Sequence, residues 1–77
     1  MKITLQPVEL LLQGRCVSAR LVLCDGRLCA VLSWLDPDLD GEAGWFVEAG
    51  FGRLAEPSSP VIPDFEGVEA WVVAKLS

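Results

Sequence analysis

The sequence predicts an α+β domain in which an antiparallel β-meander of three to four strands is packed by one C-terminal helix. Two observations carry this prediction: an Asp25-Gly26 pair between two apolar runs, and an apolar helical stripe that follows Pro63. Asp-Gly favours a two-residue hairpin turn because both central residues adopt positive φ. Adjacent valines in the last segment also suit a strand, so a small all-β barrel is the alternative.

The turn at Asp25 and Gly26 predicts which residues of the hairpin face each other, namely those whose numbers add to 51. One side is then apolar throughout, with Leu23/Leu28, Leu21/Ala30, Ala19/Leu32 and Val17/Trp34. The other side is mixed, with Cys24/Arg27, Val22/Cys29, Arg20/Val31, Ser18/Ser33 and Cys16/Leu35. A slip of one residue would scramble both sides, and we expect the helix to cover the apolar one.

Two further strands extend the predicted meander. A strand over 8–12 reverses at Gln13-Gly14, where glycine again suits a tight turn. A strand over 44–51 carries apolar side chains at its odd positions, which is the alternation expected of a half-buried strand. All 77 residues are expected to form a single small domain, residues 1–77.

Two loops and a capped helix complete the prediction. An acidic loop over 36–43 follows the hairpin, and a Pro/Ser-rich loop over 52–63 has the composition of extended backbone. Asp64 is a good helix N-cap, and the segment 64–76 places its apolar residues on one helical stripe. Gly67 weakens this helix, which keeps the strand alternative open for the segment.

Composition predicts a small protein-interaction module that associates with itself or with another protein. Apolar residues make up 52% of the chain before its 7 glycines are added, against a usual share of about 45–50% with glycine included. A small domain cannot bury that much apolar surface alone, and a second copy is the simplest cover. We expect a homodimer whose contact lies on the mixed sheet face and uses Val22, Cys29, Val31, Leu35, Phe46 and Trp71.

Charge restricts the other partners. The net charge is -5 and the chain has 6 Lys and Arg residues, so phosphate backbones and anionic membranes are disfavoured. Arg20, Arg27 and Arg53 would be the footprint of a nucleic-acid-binding sheet domain, which remains an alternative function. No apolar run is long enough to span a membrane and no signal peptide is apparent, so we expect a cytoplasmic protein.

The segment from Asp36 to Gly41 resembles the start of a calcium loop. Asp36, Asp38 and Asp40 alternate and are followed by glycine, as in the first half of a hand-type loop. The closing glutamate is missing, because position 12 of such a loop is a valine here, although Glu42 would offer another oxygen. Calcium binding is therefore an alternative function, and a solvated turn is the simpler interpretation.

The remaining chemical signals are weaker. Cys16, Cys24 and Cys29 lack zinc-ligand spacing, and the predicted register makes the last two diagonal neighbours, too far apart for an easy disulfide. The chain has no histidine and no tyrosine, and Ser58 and Ser59 have no base beside them in the sequence. We therefore expect no catalytic activity and no cofactor other than the alternative calcium ion.

Overall fold

A computed structural model describes residues 1–55 and 61–77, and its architecture confirms the predicted α+β class. The elements are β1 (Ile3–Leu12), β2 (Arg15–Cys24), β3 (Arg27–Leu35), α1 (Pro37–Asp40), β4 (Gly44–Gly50), a 3-10 turn (Gly52–Leu54), β5 (Val61–Ile62) and α2 (Phe65–Leu76). The five strands form one antiparallel sheet in chain order. The sheet is thus an open meander with one more strand than the sequence predicts, and the last segment is helical.

Both predicted two-residue turns are present. Asp25 and Gly26 have φ of 52° and 81°, and Gln13 and Gly14 have φ of 50° and 79°. These are the left-handed conformations that such hairpin turns require. The Asp25 turn also holds the start of the chain, because its carboxylate accepts a 2.8 Å hydrogen bond from the Lys2 amide and its own amide donates to the Lys2 carbonyl.

The predicted register of the β2–β3 hairpin is wrong beyond its first two pairs. Leu23 pairs with Leu28 as expected, but Val22 then pairs with Ala30. Cys29 is the extra residue of a β-bulge, which sets two residues of one strand opposite one residue of the other. The prediction that paired residue numbers add to 51 assumes an uninterrupted ladder, so it could not anticipate this extra residue.

A second bulge interrupts the β3–β4 ladder. Val31 pairs with Ala49 and Leu32 pairs with Val47, which leaves Glu48 as the extra residue of β4. Further along, the ladder is regular, and Ser33 lies opposite Phe46. Two bulges in neighbouring ladders increase the local twist of the sheet, so its central strands are expected to curve.

The helix α2 covers the side of β2 that carries Val22, which is the face predicted to remain uncovered. The core unites strand and helix residues: Val22, Ala30, Leu32, Trp45, Val47, Leu54, Ile62, Val68 and Val72. The bulge at Cys29 explains the correction. It moves Ala30 and Leu32 onto the side of the sheet that carries Val22. An uninterrupted register would place these two residues on the opposite side, with Leu21.

Helix α2 begins and packs as its sequence requires. The Asp64 carboxylate accepts a 2.7 Å hydrogen bond from the Gly67 amide, and it caps one of the free donors of the first turn. Gly67 has a packing reason to be glycine, because a Cβ there would come within 2.7 Å of the Ile62 Cγ2 atom. The residue that weakens the helix in the sequence therefore lets the helix approach β5 closely.

The two predicted loops contain short regular elements. The acidic segment 36–43 includes α1, whose four residues follow the capping residue Asp36. The Pro/Ser-rich segment 52–63 includes the 3-10 turn and the two-residue strand β5. Residues 56–60, which contain both serines of this segment, lie outside the described residues.

The cap of α2 gives a first testable prediction. We expect Asp64→Ala to lower the free energy of unfolding by roughly 0.5–2 kcal/mol, because the Gly67 amide loses its acceptor. Urea unfolding followed by circular dichroism measures this loss. Asp38→Ala in the exposed α1 is the matched control, expected within about 0.5 kcal/mol of wild type. Equal losses in the two variants would contradict the capping role.

Candidate interaction surface

The side of the sheet opposite α2 forms a broad apolar surface, which we call the open face. Residues directly opposite in an antiparallel ladder point to the same side, and their chain neighbours point to the other. Since Val22 and Leu32 face α2, the pairs Leu21–Val31 and Ser33–Phe46 face away from it. The apolar members of the open face are Val8, Leu10, Leu12, Val17, Ala19, Leu21, Leu23, Leu28, Val31, Leu35, Phe46, Ala49 and Val61.

The centre of the open face is shielded by its own rim. Ala19 and Ser33 lie opposite each other and are only 0% and 3% exposed, although α2 lies on the far side of the sheet. The larger neighbours Val8 and Phe46 flank this pair on the adjoining strands. The larger apolar neighbours therefore cover the two small residues at the centre of the face.

Charged groups on this side of the sheet lie towards one end, whereas the polar side chains of Thr4 and Gln6 lie towards the other. The Ser33 hydroxyl donates a 2.8 Å hydrogen bond to Oε2 of Glu48, so the bulge in β4 supplies the acceptor that a buried serine needs. Glu48 also lines a cleft of about 510 Å³ with Leu12, Gln13 and Arg15. Charge therefore lies at the margin of the open face, next to the β1–β2 turn.

Three of the six residues predicted for the contact lie together on the open face. Val31, Leu35 and Phe46 are each half-buried within the isolated chain. Val31 and Phe46 lie opposite Ala49 and Ser33, and Leu35 lies opposite Gly44 at the end of β3. A partner on the open face would therefore contact all three.

The other three residues lie on the helix side of the sheet. Val22 is 0% exposed in the core, so it is not available to a partner. Cys29 and Trp71 are half-buried and pack against that core. The Trp71 indole N–H is buried without a hydrogen-bond acceptor among the described residues.

The predicted contact omits the part of the open face that β1 and β2 provide. Leu10 and Leu12 in β1 pair with Val17 and Arg15 in β2. The sequence carries a signal for this part, because the turn at residues 13 and 14 predicts the ladder, and residues 8, 10 and 12 are all apolar. The uninterrupted register sets the helix over the side that carries Val17, which is why the predicted contact lies on the other side.

The acidic segment is organised around a helix cap. The Asp36 carboxylate accepts a 2.8 Å hydrogen bond from the Asp38 amide, and the Asp40 carboxylate accepts one of 2.8 Å from the Asp36 amide. Within residues 1–55 and 61–77 no three acidic or cysteine side chains are grouped so that they could hold a metal ion. The calcium ligands predicted at Asp36, Asp38, Asp40 and Glu42 are therefore not gathered around one point, and two of their carboxylates bind backbone amides.

Arg20 takes part in an aromatic cluster at the start of α2. Its guanidinium carbon lies 5.0 Å from the ring centre of Trp45 and 5.5 Å from that of Phe65, and its NH1 group donates to the Ala19 carbonyl. Trp45 also stands edge-on to Trp34, with ring centres 5.0 Å apart. Cation–π contacts of this kind hold the Arg20 guanidinium against the protein, so it is poorly placed to contact the phosphates of a nucleic acid.

The cysteine geometry also corrects the sequence analysis. The bulge brings Sγ of Cys24 within 2.9 Å of Sγ of Cys29, and the Cys29 thiol lies 3.3 Å from the Val22 carbonyl oxygen. Burial, followed by the hydrogen bond and the charge of Cys24, raises the pKa of Cys29 to about 12. Cys16 is exposed. The pair predicted to lie too far apart for a disulfide is thus in direct contact.

The raised pKa of Cys29 predicts a loss of stability at alkaline pH. The unfolded chain releases this proton near the ordinary value of 9.0, whereas the folded chain keeps it until about 12. Unfolding therefore becomes more favourable as pH rises through this window. With the thiols kept reduced, urea unfolding at increasing pH should show a steeper decline for wild type than for Cys29→Ala. Cys16→Ala is the matched control and should retain the wild-type slope; equal slopes for wild type and Cys29→Ala would contradict the shift.

Comparison with known proteins adds no family to this geometry. No protein-family model, no curated protein and no solved structure matches the chain. In the part of the chain that the structure describes, no helix has the length and apolar character needed to cross a membrane. The open face is thus the feature of the molecule from which a function is best argued.

Proposed function

We propose that this chain is a small protein-interaction module, without catalytic activity, that forms a homodimer through its open face. The observation that carries the proposal is the extent of that face, to which all five strands contribute apolar side chains. The single long helix α2 lies on the other side of the sheet. Burial of the remaining exposed area supplies the driving force, at about 25 cal/mol per Å².

The size of the open face suits a protein partner. Strands of 10 residues rise roughly 33 Å, and four strands spaced by about 4.8 Å span roughly 19 Å, which gives a footprint of roughly 600 Å². Stable interfaces bury about 800 Å² of accessible surface on each partner. The open face is therefore of the same order of size as one side of a specific interface.

A second copy is the occupant that the chemistry of the face favours. Two apolar sheets pack face to face about 10 Å apart in β-sandwiches, and an isologous dimer brings the same patch of each copy together. Ala19 and Ser33 are already covered, so the contact would be made by the half-buried apolar residues around them, such as Val8, Val17 and Phe46. The charges of Arg15 and Glu48 stay at the margin, where water can reach them.

The cellular setting belongs to the same proposal. We propose a cytoplasmic location, because three cysteines, an odd number, fit a reducing compartment better than a disulfide framework. We also propose that the chain has no catalytic activity, since it has no histidine, the commonest general base.

The dimer is tested by placing a charge on the open face. Val31→Glu puts a carboxylate beside Leu21 and Ala49 on the central strand, so burying it against a partner would be costly. We expect wild type to sediment as a dimer at micromolar concentration and Val31→Glu to sediment as a folded monomer. Circular dichroism of both proteins verifies that the fold is retained.

Val73→Glu is the matched control, because Val73 is 45% exposed on α2, away from the open face. It carries the same chemical change and should leave the dimer intact. A wild-type chain that stays monomeric up to its solubility limit would refute the proposal. So would a dimer that survives Val31→Glu at low micromolar concentration.

A further inference from the structure

Two thiols meet at the tip of the β2–β3 hairpin, on the side of the sheet that faces α2. The Sγ atoms of Cys24 and Cys29 lie 2.9 Å apart, and both side chains are half-buried against the core. Cys24 is the last residue of β2, and Cys29 is the bulge residue of β3. In a regular ladder these two positions would be diagonal neighbours about 7–8 Å apart at Cα, so the bulge builds the contact.

The separation of the two sulfurs favours covalent pairing over metal binding. Two thiolates on one tetrahedral zinc ion, each about 2.3 Å from the metal, lie about 3.8 Å apart. The observed 2.9 Å is shorter than this, and it exceeds a disulfide bond of about 2.05 Å by less than 1 Å. In addition, no third metal-binding side chain joins the pair within the described residues.

We propose that Cys24 and Cys29 form a redox-active dithiol, which a hydroperoxide oxidises to an intramolecular disulfide and a small thiol reduces again. Disulfides of this kind in reducing compartments are usually transient, which fits a pair held in contact as free thiols. Both sulfurs lie on the helix side of the sheet, so the proposal is independent of a dimer on the open face.

The reaction proceeds in two balanced steps. One thiol of the pair loses its proton, takes one oxygen from the hydroperoxide, releases an alcohol and becomes a sulfenic acid. The sulfur of the other cysteine then attacks the sulfenic sulfur, and the leaving hydroxide departs with the proton of that second thiol as water. Two thiols and one hydroperoxide thus give one disulfide, one alcohol and one water.

The consequence for the fold is local. The disulfide would tie the end of β2 to the bulge of β3, next to the turn residue Asp25, which already binds the Lys2 backbone. It would remove the hydrogen bond between the Cys29 thiol and the Val22 carbonyl. Cys16 is eight residues from Cys24 along the same strand and remains a free thiol.

Tryptic mapping tests the pairing directly, because cleavage after Arg20, Arg27 and Arg53 separates the two cysteines into peptides 21–27 and 28–53. We expect wild type treated with stoichiometric hydrogen peroxide to lose the mass of two hydrogen atoms. These two peptides should then stay joined until dithiothreitol is added. Because the fold brings the thiols together, the link should form at least about tenfold faster in the native chain than in urea.

Two variants test which thiols take part. Cys29→Ser should stop at the sulfenic acid, which dimedone traps on peptide 21–27, whereas Cys16→Ser should behave as wild type. Only oxygen addition in wild type, or a link that involves Cys16, would overturn the proposal. Equal rates of pairing in the native and unfolded chains would also overturn it, and this readout does not depend on a variant that folds.

Discussion

One extra residue in β3, Cys29, decides which side chains share each face of the sheet. Because the bulge sets Cys29 and Ala30 opposite Val22, the rest of β3 is turned over relative to an uninterrupted ladder. Leu32 thereby joins the side that α2 covers, and Val31 joins the side that it does not. The same residue brings a second sulfur to the hairpin tip. The core, the open face and the thiol pair thus all depend on one irregularity of backbone pairing.

A single helix cannot cover a sheet that is apolar on both sides. The 12 residues of α2 span roughly 18 Å, whereas the 10-residue strands β1 and β2 extend roughly 33 Å. Even on the helix side, Leu11 remains 70% exposed beyond the reach of α2. The open face receives no cover from α2 at all. Such an excess of apolar surface is typical of a chain that associates with a partner, and it is why we argue the function from the face.

The sequence was informative wherever local chemistry decides the structure. Both tight turns follow from residues that tolerate positive φ, and the cap of α2 follows from an aspartate placed before an apolar stripe. The register of the β2–β3 hairpin was harder to predict, because the sequence fits a ladder with the bulge and a ladder without it. Both sides of the sheet carry apolar residues in either ladder. The contact of Cys24 with Cys29 was missed for the same reason. Conversely, the alternating aspartates resemble a metal loop in the sequence, whereas in the fold the carboxylates of Asp36 and Asp40 accept hydrogen bonds from the amides of Asp38 and Asp36.

The acidity of the chain is compatible with contact between two copies, because most of the open face is uncharged. Among the described strand residues, Arg15 and Glu48 are the ionisable side chains on that side of the sheet, and their charges are opposite. Asp40 joins these two side chains around a cleft at one end of the face, which Leu12, Leu35 and Phe46 also line. Like charges on distant surfaces are screened over about 8 Å at physiological ionic strength. The net charge of -5 therefore limits non-specific association while the apolar face stays free to make a specific contact.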